Sequence, residues 1–328
     1  MYSNVWKALL GGLCLLSSGT IVIAGTWKQT IELSERLQAE GRLGDAEKLL
    51  VSGLESDSAN QNLSERAYLF NNLGSVYQDQ CRYLEAERSY RRALLLWGRA
   101  GGDWQLPLAR TLNNLASLLF ETGKLGEAEK LLLQSSAIHR EALGSDHQET
   151  ASVFFNLGAI RLRQQQYAKA ETAYRQAIAI WEKQNITREL EIARVAGSLG
   201  TICRKTGRRS EASSYFGRAQ TIWERHVALG ERTPELLLDL ARSYSETNQQ
   251  DRAEPLLKNA LVSIEKQVGP DHPKVVAILY AYAALMHGMH RKSEARELEN
   301  RAKKIQISSP QLHLALETVG VSDLRRSK

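Results

Sequence analysis

Residues 69–94 read LFNNLGSVYQDQCRYLEAERSYRRAL, and the short phrase around Ala86 in this stretch recurs along the whole chain. Each copy centres on an alanine, and successive alanines are 40 to 42 residues apart. A period of that length, sustained over six intervals, indicates an array of repeats rather than a globular enzyme. The recurring alanines are Ala46, Ala86, Ala128, Ala170, Ala212, Ala253 and Ala295.

Two further positions recur together with each alanine. A small residue lies twelve positions upstream of the alanine, in the first helix of the repeat. A large residue lies four positions downstream, on the same face of the second helix as the alanine. Small residues allow two helices to approach closely, and the large residue fills the space between them. The small residues are Ser34, Gly74, Ala116, Gly158, Gly200, Ala241 and Ala283. The large residues are Leu50, Tyr90, Leu132, Tyr174, Phe216 and Leu257, with Glu299 as the exception.

A turn position separates the two helices that we predict for each repeat. Glycine or asparagine occupies it in four repeats, and both residues suit a helix C-terminus in the left-handed backbone region. Each repeat therefore reads as helix, short turn, helix. The turn positions are Gly41, Cys81, Gly123, Gln165, Gly207, Asn248 and His290.

The stretch 69–94 resembles a tetratricopeptide repeat (TPR). The 42-residue period and the phrases LGSDHQETA (143–151) and VGPDHPKVV (268–276) resemble the repeats of kinesin light chains and their bacterial relatives. The resemblance implies an all-α, right-handed superhelical solenoid of about seven repeats that serves protein binding. Repeat 1 departs at Thr30 and Ser34, and repeat 7 departs at Glu299, as is usual for the ends of an array.

Three segments are predicted along the chain. Residues 8–27 carry no charge, so we interpret residues 1–24 as a cleaved export signal or as a retained membrane anchor of about 20 residues. Either alternative places the repeats on the far side of a membrane. The TPR array is predicted over 25–305. Residues 306–328 would form a capping helix and a tail.

Composition narrows the class of partner. The net charge of +6 is modest and scattered, and the array lacks the interleaved aromatic residues of nucleic-acid-binding proteins. The net charge is compatible with an acidic protein partner or with an anionic membrane surface. Residues 8–24 offer a separate route to membrane association. Cys81 and Cys203 lie three repeats apart, which is too far for a disulfide, so we predict that both are unpaired.

The resemblance implies that the first helix of each repeat lines a concave groove, with one side chain per repeat pointing inward. A side-chain amide can donate and accept hydrogen bonds at once, so consecutive asparagines would suit an extended peptide backbone. The alternative is that these amides bond locally to their own backbone. The groove-facing positions are Glu32, Asn72, Asn114, Asn156, Ser198, Asp239 and Ala281, and Asn71 and Asn113 stand beside two of the asparagines.

Basic residues accompany the asparagines at or near the groove. Because arginine pairs well with carboxylates, they predict an acidic segment, or one with a C-terminal carboxylate, as the ligand. The alternative is ordinary surface charge exposed to solvent. The basic residues are Arg110, Arg163, Arg194, Arg204 and Lys205.

These features favour a non-enzymatic scaffold that binds an extended peptide segment, with a self-assembling or membrane-complex-organising protein as the alternative. No phosphate loop or nucleophile motif argues for an enzyme, and we predict no catalytic, cofactor or metal site. His287 and His290 have metal-ligand spacing but no evident third ligand. The Asp-His pairs at 146–147 and 271–272 are predicted to be helix caps. The identity of the partner and the oligomeric state stay open.

Overall fold

A computed structural model describes residues 13–15, 21–23, 27–55, 62–184 and 188–308. Within these ranges the chain forms fourteen α-helices, which succeed one another as seven helix pairs, and one short 3₁₀ helix at Pro273–Val275. The helices are α1 Trp27–Ala39, α2 Leu43–Glu55, α3 Leu63–Asp79, α4 Tyr83–Trp97, α5 Gln105–Glu121, α6 Leu125–Leu143, α7 Gln148–Arg163, α8 Tyr167–Lys183, α9 Glu189–Lys205, α10 Arg209–Ala228, α11 Pro234–Glu246, α12 Gln250–Val268, α13 Val276–Gly288 and α14 Lys292–Ser308.

Two short strands precede the helices. Strand β1 (Leu13–Leu15) pairs antiparallel with β2 (Ile21–Ile23), with Cys14 opposite Val22. The sequence did not predict them; the β-branched run of β2 favours an extended backbone. The remainder of the predicted signal or anchor segment, 1–12, 16–20 and 24, lies outside the described residues, as do residues 25 and 26. So do residues 309–328, which include most of the predicted cap and tail.

The seven helix pairs are the seven predicted repeats. In each pair the recurring alanine is the fourth residue of the second helix, and all seven alanines are at most 5% exposed. No helix in the described ranges combines the length and the apolar character that crossing a bilayer requires. Cys81 and Cys203 are both free, as predicted, and Cys203 is fully buried.

The two helices of a repeat meet where the small residue of the first faces the large residue of the second. A Cβ atom added to Gly158 would lie 2.6 Å from Cδ1 of Tyr174, well inside van der Waals contact. Gly74 with Tyr90, and Gly200 with Phe216, show the same close approach, at 2.7 and 2.8 Å. The aromatic ring therefore packs directly on bare helix backbone.

The pairing follows a size rule across the array. Glycine in the first helix accompanies an aromatic residue in the second helix in repeats 2, 4 and 5. Serine or alanine accompanies leucine in repeats 1, 3 and 6. Because the sum of the two volumes must fit one interhelical gap, a Cβ on one side requires a narrower side chain on the other.

The turns adopt the predicted left-handed conformation in all seven repeats. The backbone angle φ lies between 58° and 81° at the seven turn positions. Four of them, Cys81, Gln165, Asn248 and His290, are occupied by residues with a Cβ atom, at φ of 58°, 60°, 61° and 60°. The bend brings the next N–H back onto the first helix, as when Gln166 N donates to Arg161 O at 2.8 Å.

Neighbouring repeats are joined by recurring ion pairs. The residue after the turn is often an arginine, and it contacts the glutamate that follows the recurring alanine of the preceding repeat. These pairs are Arg82–Glu47 at 2.7 Å, Arg208–Glu171 at 2.6 Å and Arg291–Glu254 at 2.7 Å. The hydrogen bond from Arg208 holds the pKa of Glu171 below its usual value. Where the array replaces the glutamate by Ser213, the arginine position holds Gln249, so neither partner is left as an unpaired charge.

The helices divide into two compact units. Unit 1 contains α1 to α4, α5 as far as Leu119, and Lys130–Ile138 of α6. Its core includes Leu49, Leu69 and Val76. Unit 2 contains Phe120–Glu129 and the helices from His139 onward, and its core is built around Tyr174 and Trp181.

We predict that Gly158→Ala lowers the free energy of unfolding by about 1–3 kcal/mol, because the new Cβ overpacks the contact with Tyr174. Gly217→Ala is the matched control: Gly217 is also helical, but nothing lies within 4 Å of an added Cβ. There the better helix propensity of alanine should raise stability by about 1 kcal/mol. Urea-induced unfolding followed by circular dichroism measures both, and equal shifts in one direction would contradict the size rule.

We also predict that Gln165→Gly raises the free energy of unfolding by about 0.5–1 kcal/mol, because it relieves a left-handed backbone carrying a Cβ. Gln165→Ala is the control, since it removes the exposed amide but keeps the Cβ, and it should leave stability nearly unchanged. The midpoints of thermal unfolding compare the three proteins. A gain for alanine as large as that for glycine would show that the amide, and not the Cβ, causes the strain.

Candidate functional site

Unit 2 contains a concave cavity with a volume of about 800 Å³. Most of its wall belongs to the first helices of repeats 4 to 7, which are α7, α9, α11 and α13, and the rest comes from the second helices of repeats 4 to 6. Ser198, Asp239 and Ala281 line it, and these are three of the seven positions that the sequence places in the groove.

The apolar part of the unit 2 cavity recurs in register. Phe155, Leu238 and Tyr280 occupy equivalent positions of α7, α11 and α13. Tyr174 is deeply buried beneath the wall, and this burial raises its pKa to about 12. A surface of this kind can bury apolar side chains of a ligand while charged groups fix its orientation.

Two ion pairs cross the cavity wall from α9 to α11. Arg194 Nε contacts Asp239 Oδ2 at 2.9 Å, and Arg204 Nη2 donates to Glu246 Oε1 at 3.2 Å. Both arginines were predicted as ligand anchors from the sequence. Each is held instead by an acidic residue of the following repeat, so a ligand carboxylate would have to compete with that partner.

Arg242 is the cation of the cavity that forms no hydrogen bond or ion pair with any other described residue. It lines the wall from the middle of α11, and the surrounding protein lowers its pKa by reducing its solvation, which Asp239 partly opposes. At the equivalent position the other repeats carry Glu35, Ser75, Ser117, Ala159, Thr201 and Ala284.

Two other polar groups of the wall also lack partners within the described part of the chain. Glu235, in the first turn of α11, is exposed in the cavity without an ion pair. Ser243 is only 4% exposed, and its Oγ atom has no hydrogen-bond partner. Sequence reasoning missed Arg242, Glu235 and Ser243. One signal in the sequence pointed to Arg242: five other repeats carry a small residue at the equivalent position.

Four of the five predicted asparagines lie together in unit 1, on α3 and α5. Asn72 Nδ2 donates to the Tyr68 carbonyl of its own helix at 3.0 Å, and Asn114 Nδ2 donates to Asn71 Oδ1 at 3.1 Å. Asn113 and, in unit 2, Asn156 engage other residues too. None of the five lines the unit 2 cavity.

The remaining predicted basic residues are also engaged. Arg163 Nη1 donates to Phe120 O at 2.6 Å, its guanidinium lies 4.7 Å from the centre of the Phe120 ring, and burial lowers its pKa. Arg110, on α5 in unit 1, and Lys205, at the end of α9, have interactions of their own. Of the ten predicted binding residues, the structure places only Arg194 on the cavity wall.

The histidines that could suggest catalysis have structural partners. His147 Nδ1 accepts from Glu149 N, and His272 Nδ1 accepts from Lys274 N, both at 3.2 Å, which confirms the predicted caps. His287 Nε2 lies 2.9 Å from Glu299 Oε1, the exceptional residue of repeat 7. The described ranges hold no group of three or more side chains placed to bind a metal ion.

Comparisons with known proteins agree with this geometry. Family models described as "Tetratricopeptide repeat" match residues 66–102, 107–183 and 235–274. A comparison with curated proteins gave no match.

Three solved structures are similar in fold. The apo form of RapI has a TM-score of 0.67 at 16% identity and covers 85% of this chain and 97% of its own. The Rap conjugation gene regulator of plasmid pLS20, in complex with the Phr* peptide, has a TM-score of 0.66 at 14% identity, with coverages of 90% and 76%. A tetratricopeptide repeat protein from Parabacteroides merdae ATCC 43184 has a TM-score of 0.50 at 18% identity, with coverages of 89% and 98%.

Three findings point to the same fold. The chain has seven helix pairs with one register, three of its segments match repeat models, and its structural neighbours are similar in fold. The chain contains tetratricopeptide repeats and has the all-α fold of a helical-repeat solenoid.

Proposed function

We propose that this chain is a non-enzymatic interaction scaffold that binds an extended segment of another protein in the unit 2 cavity. The observation that carries the proposal is Arg242, which has no hydrogen bond or ion pair within the described part of the chain and lies on the wall of a cavity of about 800 Å³ with a largely apolar lining. The Rap conjugation gene regulator, which is similar in fold, was solved with a bound peptide, and this supports a peptide ligand here.

Arg242 is the proposed anchor for an acidic side chain or a C-terminal carboxylate of the ligand. A guanidinium pairs with a carboxylate through two parallel hydrogen bonds, and Arg242 is exposed and forms no ion pair with another described residue. The wall is built from helices that pack against their neighbours, so little order has to be gained in the protein when the ligand binds.

Two finer proposals accompany this function. The 42-residue spacing and the phrases at 143–151 and 268–276 support repeats of the kinesin-light-chain-like, bacterial type. The asparagines of α3, α5 and α7 stay a hypothesis for a second contact with peptide backbone, because each amide can make more hydrogen bonds than the one that Asn72 donates to Tyr68 or that Asn114 donates to Asn71.

We predict that Arg242→Ala weakens binding of acidic peptides at least tenfold, a loss of about 1.4 kcal/mol, because it removes the anchor. The measurement is fluorescence anisotropy of an array of labelled ten-residue peptides, each made with glutamate or with glutamine. Arg296→Ala is the matched control, since Arg296 is also an exposed helical arginine without a described partner but lies on α14 outside the cavity.

Equal binding by the parent and the Arg242→Ala protein, with helix content unchanged, would contradict the anchor. A third protein tests the asparagines by combining Asn72→Ala, Asn114→Ala and Asn156→Ala. If it loses binding while it stays folded, those amides contact the ligand. If it binds like the parent, their bonds within the protein are their whole role.

We also propose that residues 1–24 direct the chain across a membrane or anchor it there. The support is the uncharged stretch 8–27 after a single lysine. Expression of the full chain in the source cells, with fractionation and N-terminal sequencing, tests this. A chain that begins at Gly25 indicates cleavage, and an intact chain in the membrane fraction indicates an anchor. An intact chain in the cytosolic fraction would contradict both.

A further inference from the structure

The charges of the unit 2 cavity leave one cation and one anion without partners. Arg194 neutralises Asp239, and Arg204 neutralises Glu246, across the gap between α9 and α11. Arg242 and Glu235 remain, and neither has a hydrogen bond or ion pair to another described residue. They carry opposite charges and stand on the same helix, so the cavity presents one positive and one negative group to a ligand.

The spacing of these two residues sets a distance. They are seven positions apart on α11, which is nearly two full turns, so both lie on one face of the helix. At a rise of 1.5 Å per residue they are about 10 Å apart along the helix axis. Leu238 lies between them on the same cavity wall. Along α11 the wall therefore presents an acidic residue (Glu235), an apolar residue (Leu238) and a basic residue (Arg242), in that order.

We propose that the unit 2 cavity recognises a peptide segment with a basic side chain and an acidic side chain three residues apart, separated by apolar residues. The basic group pairs with Glu235, the acidic group pairs with Arg242, and an apolar side chain between them packs on Leu238. A peptide in the extended polyproline II conformation advances about 3.1 Å per residue with three residues per turn, so side chains three residues apart lie on one face and are about 9 Å apart. This inference rests on the proposed function and specifies its ligand.

A purely acidic segment fits this wall less well. One end of such a ligand would lie beside the positive charge of Arg242. The other end would lie beside the carboxylate of Glu235, and Asp239 is one helical turn from Glu235. Like charges brought together in a partly desolvated cavity repel each other. The acidic ligand expected from the sequence is thus restricted to one acidic position beside one basic position.

Ser243 adds a hydrogen-bond donor near the positive end. Its hydroxyl is buried in the cavity wall without a partner, next in sequence to Arg242. A ligand carboxylate or carbonyl can accept this hydrogen bond once the side chain turns its enclosed Oγ atom towards the cavity. An unsatisfied buried hydroxyl destabilises the free protein, so a ligand that satisfies it recovers the loss.

The test uses four blocked hexapeptides on the full chain, measured by isothermal titration calorimetry. The first is acetyl-Gly-Lys-Leu-Leu-Glu-Gly-amide, and the others place Glu and Glu, Lys and Lys, or Gln and Gln at the two charged positions. The parent protein should bind the Lys/Glu peptide at least tenfold more tightly than the other three. Glu235→Lys should reverse this order and favour the Glu/Glu peptide, because both fixed charges are then positive.

Glu297→Lys is the matched control. Glu297 is an exposed glutamate of α14 without a described partner, so this variant changes the net charge equally but outside the cavity. It should keep the parent order of peptides. If the parent binds Glu/Glu as tightly as Lys/Glu, or if Glu235→Lys keeps the parent order, the paired-charge inference is overturned while acidic peptide binding stands. If no peptide binds the parent, the proposed function falls, and the inference falls with it.

Ser243→Ala separates a ligand contact from a structural role. We expect it to weaken binding of the Lys/Glu peptide about threefold and to raise the midpoint of urea unfolding, because it removes an unsatisfied buried hydroxyl. A lower midpoint with unchanged binding would show that the hydroxyl serves the fold, and would remove Ser243 from the site.

Discussion

The contact between a small residue of one helix and a large residue of the next is the constraint on which the rest of each repeat depends. At Gly158 the aromatic ring of Tyr174 lies where a Cβ would be, so the two helix axes are held at one distance. The left-handed turn at Gln165 returns the chain at the matching angle. Because this turn recurs in all seven pairs, and the same close contact recurs at Gly74 and Gly200, the first helices repeat one orientation within a unit. That repetition is what aligns equivalent residues along a wall.

The joints between repeats decide which charges stay available to a ligand. Many arginines that look free in the sequence bind an acidic residue of a neighbouring repeat, as Arg208 does with Glu171 and Arg194 with Asp239. Such partly exposed pairs each contribute little stability, but each one engages an arginine that would otherwise be available to a ligand. Arg242 differs because the acids one turn away on its own helix, Asp239 and Glu246, are bound by Arg194 and Arg204. The joint between repeats 5 and 6 therefore creates the free cation.

The sequence predicted the repeats and their turns well, because both depend on residue size at fixed spacing. Even the left-handed backbone at Cys81 follows from its register and not from its side chain. The binding residues were harder to predict from the sequence. Asn72 and Asn114 recur in register, and recurrence is what either a ligand contact or a structural bond would produce. Whether an arginine is free depends on which neighbour its side chain reaches, as with Arg163 and the carbonyl of Phe120. Spacing alone does not contain that information.

This difference suggests how a binding residue can be recognised in a repeat array. A residue that serves the fold recurs, because every repeat must solve the same packing problem. A residue that contacts one particular side chain of a ligand need not recur, unlike one that contacts the repeating peptide backbone, and it appears as a departure at a position that the fold leaves unconstrained. Arg242 is such a departure: its register needs only a small side chain, as Ala159 and Ala284 show on the same cavity wall. A long charged side chain at that register gives the fold no described partner. Under the proposed function, this side chain serves the ligand that enters the cavity.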